Sequence, residues 1–271
     1  MKPASFDYVR PGSLEDALAA LADDPGAKVL AGGQSLVPLL SMRLAAPSRL
    51  VDINGLPGLS EIEAGPEGVS IGALARHADV LASHDVRRVQ PLISLALADV
   101  AHPTIRNRGT TVGSIVHADA AAEMPMVLRL IGGSVEVAGP SARRTIEADD
   151  LFLGPLESSL HHDEIALSAW FPALAEGAGV AFEEIARRHG DYALCGVAAL
   201  VTRDSVKAGY LSVCEVPTVV DLTGVAEADL GEAALEHLDP GDDIHASADY
   251  RAQRVRVLTA RVVGAARKMA S

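Results

Sequence analysis

The sequence predicts an α+β protein of two domains, and three observations support this fold class. The chain has 271 residues, which is enough for two domains of ordinary size. Apolar residues make up 49% of it and aromatics only 3%, so we expect a core of mostly leucine, valine, isoleucine and alanine. Strand-like and helix-like segments alternate through the first two thirds. The last third carries strands followed by two helices, an order typical of helices packed on one face of a sheet.

The first fifty-odd residues predict a small β-α-β unit. Ser13 is the expected N-cap of a helix, with Asp16 at the capping-box position and Pro25-Gly26 as the stop signal. Pro38 falls in the first turn of a second, short helix, where a proline is tolerated. The expected strands are residues 27–33 and 48–55, and the expected short helix is residues 35–45.

A second block of elements begins near residue 56. We expect a strand running into a helix at 67–83, an apolar helix at 89–101, and a loop, a strand or tight turn and then a helix over 103–132. Sheet segments are expected at 133–139, 142–152 and 164–172. Alternation in the last segment predicts that four side chains are buried: Ile165, Leu167, Ala169 and Phe171.

A stretch rich in glycine, alanine and proline at 172–182 predicts the domain boundary. The expected domains are residues 1–175, with subdomains of about 1–55 and 56–175, and residues 176–271. In the second domain, strands are expected at 180–190, 193–203 and 207–222, and helices at 227–238 and 247–270. The last helix should bury one stripe and turn its arginines to the other side; the stripe is Tyr250, Val255, Leu258, Val262 and Val263.

Composition and charge argue against several classes of protein. A net charge of −13 and a pI of about 5.1 disfavour nucleic-acid binding, because an acidic surface repels phosphate backbones. We find no apolar run of bilayer length and no signal peptide, and the two cysteines, Cys195 and Cys214, form no CxxC pair. No metal site is predicted, since His-His-Asp-Glu at 161–164 is interpreted as a solvated turn. A cytoplasmic, reduced protein fits these features.

Two glycine-bearing loops are the candidate binding elements. In the first, Gly32 and Gly33 lie between a predicted strand and a predicted helix start at Ser35, where successive amide N–H groups can bind an anion. The second, Gly109-Thr110-Thr111-Val112-Gly113-Ser114, combines hydroxyl donors with free backbone amides. Each loop taken alone is also explained as a plain turn. Together they favour a dinucleotide ligand, because a dinucleotide has two phosphates and both of them must be held.

Three segments then carry a resemblance to a known family: VLAGGQSLVPLLSMRL, IRNRGTTVGSIVHADAAAEMP and FEEIARRHGDYAL. In this order and spacing they resemble the FAD-binding medium subunit of the molybdenum-containing hydroxylases. That group includes the flavoproteins of carbon monoxide dehydrogenase, quinoline oxidoreductase, nicotine dehydrogenase and xanthine dehydrogenase. The resemblance covers nearly the whole chain. It implies a two-part FAD-binding domain of the vanillyl-alcohol-oxidase (PCMH) type, followed by a smaller α+β C-terminal domain.

The resemblance also implies a role for particular residues. The first phosphate loop would consist of Val29, Leu30, Ala31, Gly32, Gly33, Gln34, Ser35 and Leu36. The second would consist of Thr110, Thr111, Val112, Gly113 and Ser114. Glu123 would hold the adenosine ribose, Ala166 and Glu183 would line the flavin pocket, and Tyr192 would lie near the isoalloxazine ring. His117, inside the second segment, either touches the cofactor or makes a structural hydrogen bond.

Val112 is the one clear departure from the family pattern, which usually has glycine there. A β-branched residue resists positive φ, so we expect either a shifted loop backbone or a slightly different position of FAD. Because of this departure, a non-enzymatic module that has lost FAD is one alternative interpretation. A stand-alone flavoprotein oxidoreductase is the other alternative.

The function implied by the resemblance is electron transfer, and no catalytic acid or base is expected in this chain. FAD would be held without a covalent link. Molybdopterin and [2Fe-2S] clusters are expected only in partner subunits, a large one and a small one, with two copies of each chain in a heterohexamer. FAD would pass the electrons to an external acceptor. Substrate and acceptor cannot be named from this sequence.

Overall fold

A computed structural model describes residues 2–270 as mixed helix and sheet. The strands are β1 (Asp7–Val9), β2 (Ala27–Leu30), β3 (Arg49–Asp52), β4 (Ile62–Ala64), β5 (Gly68–Gly72), β6 (Ser134–Ala138), β7 (Arg143–Glu147), β8 (Phe152–Gly154), β9 (Glu157–Ser158), β10 (Ile165–Pro172), β11 (Gly179–Ala186), β12 (Ala193–Val201), β13 (Val206–Leu211) and β14 (Thr218–Asp221). The helices are α1 (Leu14–Ala22), α2 (Leu36–Met42), α3 (His77–Ala82), α4 (His84–Val89), α5 (Pro91–Asp99), α6 (Pro103–Arg106), α7 (Thr111–His117), α8 (Glu123–Leu130), α9 (Ala148–Leu151), α10 (Leu230–Leu235) and α11 (Ala248–Met269). A 3₁₀ turn at Glu227–Asp229 precedes α10.

The N-terminal unit is a parallel sheet in the order β1-β3-β2, which confirms the predicted β-α-β arrangement. Ser13 caps α1, and its hydroxyl oxygen accepts the Asp16 N–H at 3.1 Å, as the capping motif predicted. Strand β1 was not predicted, because three residues are too few to show a periodicity. Its pairing with β3 adds an edge to the sheet.

The second unit is an antiparallel sheet in the order β4-β5-β10-β6-β7, with helices α3 to α8 beside it. The alternation predicted for β10 is confirmed, since Ile165, Leu167, Ala169 and Phe171 are all buried. The prediction for residues 103–132 is confirmed for its last helix, α8, and wrong for the loop and for the strand alternative before it. No strand forms there; the segment folds as α6, α7 and α8, because Pro103 starts one helix and Thr110 caps the next.

The C-terminal sheet has the antiparallel order β11-β12-β13-β14. The expected single strand at 207–222 is therefore two strands, separated by a turn in which Ser212 takes a φ of 58°. Helices α10 and α11 cover one face and enclose a core of their own, whereas the other face packs on α5 and α8. Side chains of β11 to β13 on that second face, such as Val180 and Leu211, join the core of the preceding units.

Helix α11 corrects one further expectation. Its buried stripe includes Val255, Leu258, Val262 and Val263 as predicted, but Tyr250 is only partly buried. Arg251 is buried, with 6% of its surface exposed. Its guanidinium donates to the carbonyl oxygens of Leu194 and Ala246 at 3.2 and 3.3 Å and to the Asp243 carboxylate at 2.6 Å. This arginine therefore holds the loop before α11 rather than facing water. None of the helices in the described part of the chain is long and apolar enough to cross a membrane.

Candidate cofactor site

The first loop leaves β2 at Leu30 and enters α2 at Leu36. Gly33 has a φ of 73°, a conformation that favours glycine, and the Val37 N–H donates to its carbonyl oxygen at 2.9 Å. Among residues 2–270, no hydrogen bond from the main-chain N–H groups of Gly33, Gln34 or Ser35 is formed. The Ser35 side chain makes no capping bond either. The loop therefore presents a row of uncommitted donors, which is the arrangement that binds anions.

Gly109 and Thr110 of the second loop lie between α6 and α7, whereas Thr111 to Ser114 form the first turn of α7. Thr110 is the N-cap of α7, and its hydroxyl oxygen accepts the Gly113 N–H at 3.2 Å. The Ser114 N–H donates to the Thr110 carbonyl oxygen at 3.0 Å. The Thr111 N–H donates to the Ala75 carbonyl oxygen at 3.3 Å. The prediction of free backbone amides in this loop is therefore wrong for Thr111, Gly113 and Ser114, because the segment begins a helix.

The two loops lie in direct contact at Gly32. A Cβ atom on Gly32 would lie 2.9 Å from Gly109 Cα and 3.0 Å from the Thr110 nitrogen, and closer still to the Arg108 carbonyl oxygen. Only a residue without a side chain allows this approach. The prediction that the two glycine-bearing loops fold together is confirmed, although they are far apart in the sequence.

Val112 does not disturb the loop surface. It lies in the first turn of α7, its side chain is 1% exposed and packs in the core, and it is not among the residues with positive φ. The loop therefore accommodates the valine by making it a helical core residue. Neither a left-handed backbone nor bulk on the ligand side is needed at this position.

His77 supports the second loop from beneath, and sequence reasoning missed it. Its main-chain N–H donates to the Gly109 carbonyl oxygen at 3.0 Å, and its Nδ1 lies 3.1 Å from Thr111 Oγ1. Burial, with a smaller contribution from the Arg106 charge, lowers the pKa of His77 to about 4. The ring is therefore neutral at pH 7 and acts as a structural hydrogen-bonding group. Its position directly after Arg76, at the start of α3, was the available signal.

Glu123 begins α8 and is buried, with 7% of its surface exposed. Burial, and next the negative charge of Glu184, raise the pKa of Glu123 to about 8. Burial likewise raises the pKa of Glu184 to about 7, with a further contribution from Asp99. A carboxyl group of α8 and one of β11 thus lie close enough to interact electrostatically. Glu184 was not predicted.

Tyr192 and His117 are placed near this acidic region. Tyr192 is 64% exposed in the turn before β12, and its pKa is raised by desolvation and then by the charges of Asp119 and Glu123. His117 ends α7 and is partly buried, and desolvation lowers its pKa. Tyr192 therefore lies close enough to Asp119 and Glu123 to interact with their charges.

Glu183 is turned away from the region in which Glu123 and Glu184 interact. Glu183 forms an ion pair with Arg261 of α11, so it lies on the opposite face of the sheet from Glu184. Neighbouring residues of a strand point to opposite faces, and this alternation separates the two glutamates. Ala166 is buried in β10 opposite Val137.

A separate cavity of about 490 Å³ lies between the start of α1, residues 56–59 and strands β5 and β10. No residue of either loop lines it. It is therefore distinct from the candidate cofactor site.

Comparison with known proteins identifies the family. The sequence pattern of the FAD binding domain in molybdopterin dehydrogenase matches residues 4–174. The chain is 41% identical to the 6-hydroxypseudooxynicotine dehydrogenase complex subunit alpha of Paenarthrobacter nicotinovorans, covering 98% of this chain and 96% of that one. It is 40% identical to the nicotine 6-hydroxylase medium subunit of the same organism, over 97% and 98% of the two chains.

A solved structure has the same fold over the whole length. Carbon monoxide dehydrogenase from Hydrogenophaga pseudoflava, in a form that lacks the Mo-pyranopterin moiety of the molybdenum cofactor, matches with a TM-score of 0.94. The sequence identity is 31%, and the match covers 100% of both chains. The chain therefore belongs to the family of FAD-binding molybdopterin dehydrogenase subunits and is an oxidoreductase subunit of the medium, FAD-binding type.

Proposed function

We propose that this chain holds FAD non-covalently at its two contacting loops and passes electrons from [2Fe-2S] clusters of a small subunit to an external acceptor. The observation that carries this proposal is the packing of Gly32 against the second loop, beside the uncommitted amides of Gly33, Gln34 and Ser35. Residues 1–175 would form the FAD-binding domain and residues 176–271 the smaller C-terminal domain.

The residues present fit a diphosphate. Main-chain N–H groups that lack partners donate readily to phosphate oxygens, and the absence of a side chain at Gly32 lets the two loops approach. Glu123, protonated at pH 7 because its pKa is about 8, would present a carboxylic acid to the adenosine ribose and adds no negative charge near the phosphates. Tyr192 would stand beside the ring. When bound, FAD supplies chemistry that couples one-electron and two-electron transfers.

We propose partners by the same reasoning. The relatives include a complex subunit and a medium subunit, which supports an assembly with a large molybdopterin subunit and a small [2Fe-2S] subunit. We propose two copies of each chain. The cytoplasm is the proposed compartment, since Cys195 and Cys214 are unpaired thiols.

Two measurements test the proposal. The full chain, freed of bound flavin, is titrated with FAD, and quenching of flavin fluorescence gives the Kd; riboflavin, which lacks phosphate, is the control ligand. We expect saturable binding of FAD that is much tighter than that of riboflavin. A folded chain that takes up no FAD would overturn the proposal.

Gentle purification, under conditions in which the proposed large and small subunits stay bound, tests the assembly. We expect three kinds of chain in equal amounts, with molybdenum and iron in the same fraction, and a mass that corresponds to two copies of each. A chain that binds FAD but always elutes alone would support the stand-alone flavoprotein instead.

A further inference from the structure

A hydrogen-bonded chain of side chains connects the two loops. Tyr8 Oη donates to Asp52 Oδ2 at 2.5 Å, and Asp52 Oδ1 accepts from the Asn54 main-chain N–H at 2.9 Å and from Asn54 Nδ2 at 2.6 Å. Asn54 Nδ2 also donates to the Ala31 carbonyl oxygen, at 2.8 Å. The carboxylate at the end of β3 thereby orients an amide that holds the first loop.

Arg76 continues this chain to the second loop. Its Nη2 donates to Asn54 Oδ1 at 2.7 Å, and its Nη1 donates to the Arg108 carbonyl oxygen at 2.6 Å. That carbonyl oxygen is also the atom that a Cβ on Gly32 would approach most closely. The planar guanidinium thus bridges an amide fixed to the first loop and a carbonyl of the second.

The donor and acceptor roles permit only one arrangement. Asn54 must aim its NH₂ at the Asp52 carboxylate and the Ala31 carbonyl, because both can only accept. Its carbonyl oxygen is then left for Arg76, which can only donate. Each partner therefore specifies the orientation of the next, and a planar fork suits two acceptors in fixed directions better than an ammonium group does.

We infer that Asn54 and Arg76 are positioning residues that hold the two loops at the separation required for binding a diphosphate. This inference rests on the proposed function. Neither side chain belongs to the glycine-bearing segments that the two side chains hold. Asn54 donates to the Ala31 carbonyl oxygen, directly before Gly32, and Arg76 donates to the Arg108 carbonyl oxygen, directly before Gly109. Loss of either residue lets the Gly32 and Arg108 segments move apart, so the donors no longer converge.

The test uses the full chain freed of flavin, with Arg76→Gln, Arg76→Lys and Asn54→Ala. Arg88→Gln is the control, because Arg88 is exposed on α4 and, among residues 2–270, pairs with Asp85 alone. The Kd values for FAD and for ADP, which carries the diphosphate without the flavin ring, are measured together with the thermal midpoint of the ligand-free chain. We expect Arg76→Gln to raise both Kd values by the same factor, about 10- to 100-fold, or about 1.4–2.8 kcal/mol.

The variants separate positioning from general stability. Arg76→Lys keeps the charge and the aliphatic stem, so we expect it to recover most of the thermal midpoint but less than half of the lost binding free energy. Asn54→Ala combined with Arg76→Gln should weaken binding by less than the product of the two single effects, because both act through one network.

Three outcomes overturn the inference. They are unchanged Kd values in Arg76→Gln, full recovery of both quantities in Arg76→Lys, and an equal effect of Arg88→Gln. Failure of the unaltered chain to bind FAD and ADP would instead overturn the proposed function. The two failures are therefore distinguishable.

Discussion

Replacement of Glu123 by glutamine is expected to stabilise the chain in alkaline solution and to leave it unchanged in acid. The carboxyl group is buried beside Glu184, and its pKa rises from 4.5 to about 8. Between these values the unfolded chain has released the proton and the folded chain keeps it. The folded state then binds more protons, so the free energy of unfolding falls as the pH rises.

The magnitude follows from the pKa. At about 1.4 kcal/mol per pH unit, a rise from 4.5 to about 8 sets an upper limit of about 5 kcal/mol for the penalty at pH 9. Glutamine carries no charge in either state and keeps an oxygen for the adjacent main-chain N–H. We therefore expect Glu123→Gln to gain about 2–5 kcal/mol at pH 9 and nothing at pH 4, where both states of the parent chain are protonated.

The assay is urea unfolding of the full chain, without FAD, at pH values from 4 to 9. Glu67→Gln is the matched control, because Glu67 is exposed in the turn between β4 and β5. The reasoning about Glu123 would be refuted by a difference between variant and parent that does not change with pH, or by a variant that is less stable than the parent at pH 9.

Three further predictions concern one close packing contact and two sets of hydrogen bonds. Gly32→Ala should cost about 1–3 kcal/mol of stability in urea unfolding and raise the FAD Kd at least tenfold, because the new methyl group collides with the Arg108 carbonyl; unchanged FAD affinity would contradict the observed loop contact. Arg251→Met should cost about 1–3 kcal/mol, since it removes the donor to the Leu194 carbonyl and the ion pair with Asp243, and a neutral effect would argue against that network. Tyr210→Phe should lower the free energy of unfolding by about 1 kcal/mol through loss of a buried hydrogen bond to a threonine, with an unchanged FAD Kd as the internal check.

Local signals in the sequence carried much of the fold. The capping pair of Ser13 and Asp16 and the alternation that begins at Ile165 act over a few residues, and both have the predicted structure. The helix that Thr110 caps was missed because its hydroxyl and glycine content is equally typical of a turn. The capping bond from the Gly113 N–H became visible only with the backbone in place. The sequence predicted that Arg251 lies on the solvent-facing side of α11. A helical period cannot show that carbonyl groups of other segments accept hydrogen bonds from its guanidinium.

Some residues of the candidate site could likewise be identified from the sequence, and others could not. Its glycines were identifiable as candidates, although each loop alone was also explained as a plain turn and only the two loops together favoured a dinucleotide. Glu183 and Glu184 could not be ranked, since strand alternation shows that they face opposite ways without showing which face meets α8. Asn54 and Arg76 carry no motif, and their importance arises only from contacts with carbonyls of distant segments.

The sequence by itself determined the α+β class, the two loops and the membership of a flavoprotein family, because these depend on residue types at short spacing. Only the tertiary structure decided that Val112 is a core residue, that Glu123 shares a buried region with Glu184, and that Arg76 joins the loops. Burial and electrostatic environment are properties of groups brought together from distant parts of the chain, and no local pattern contains them.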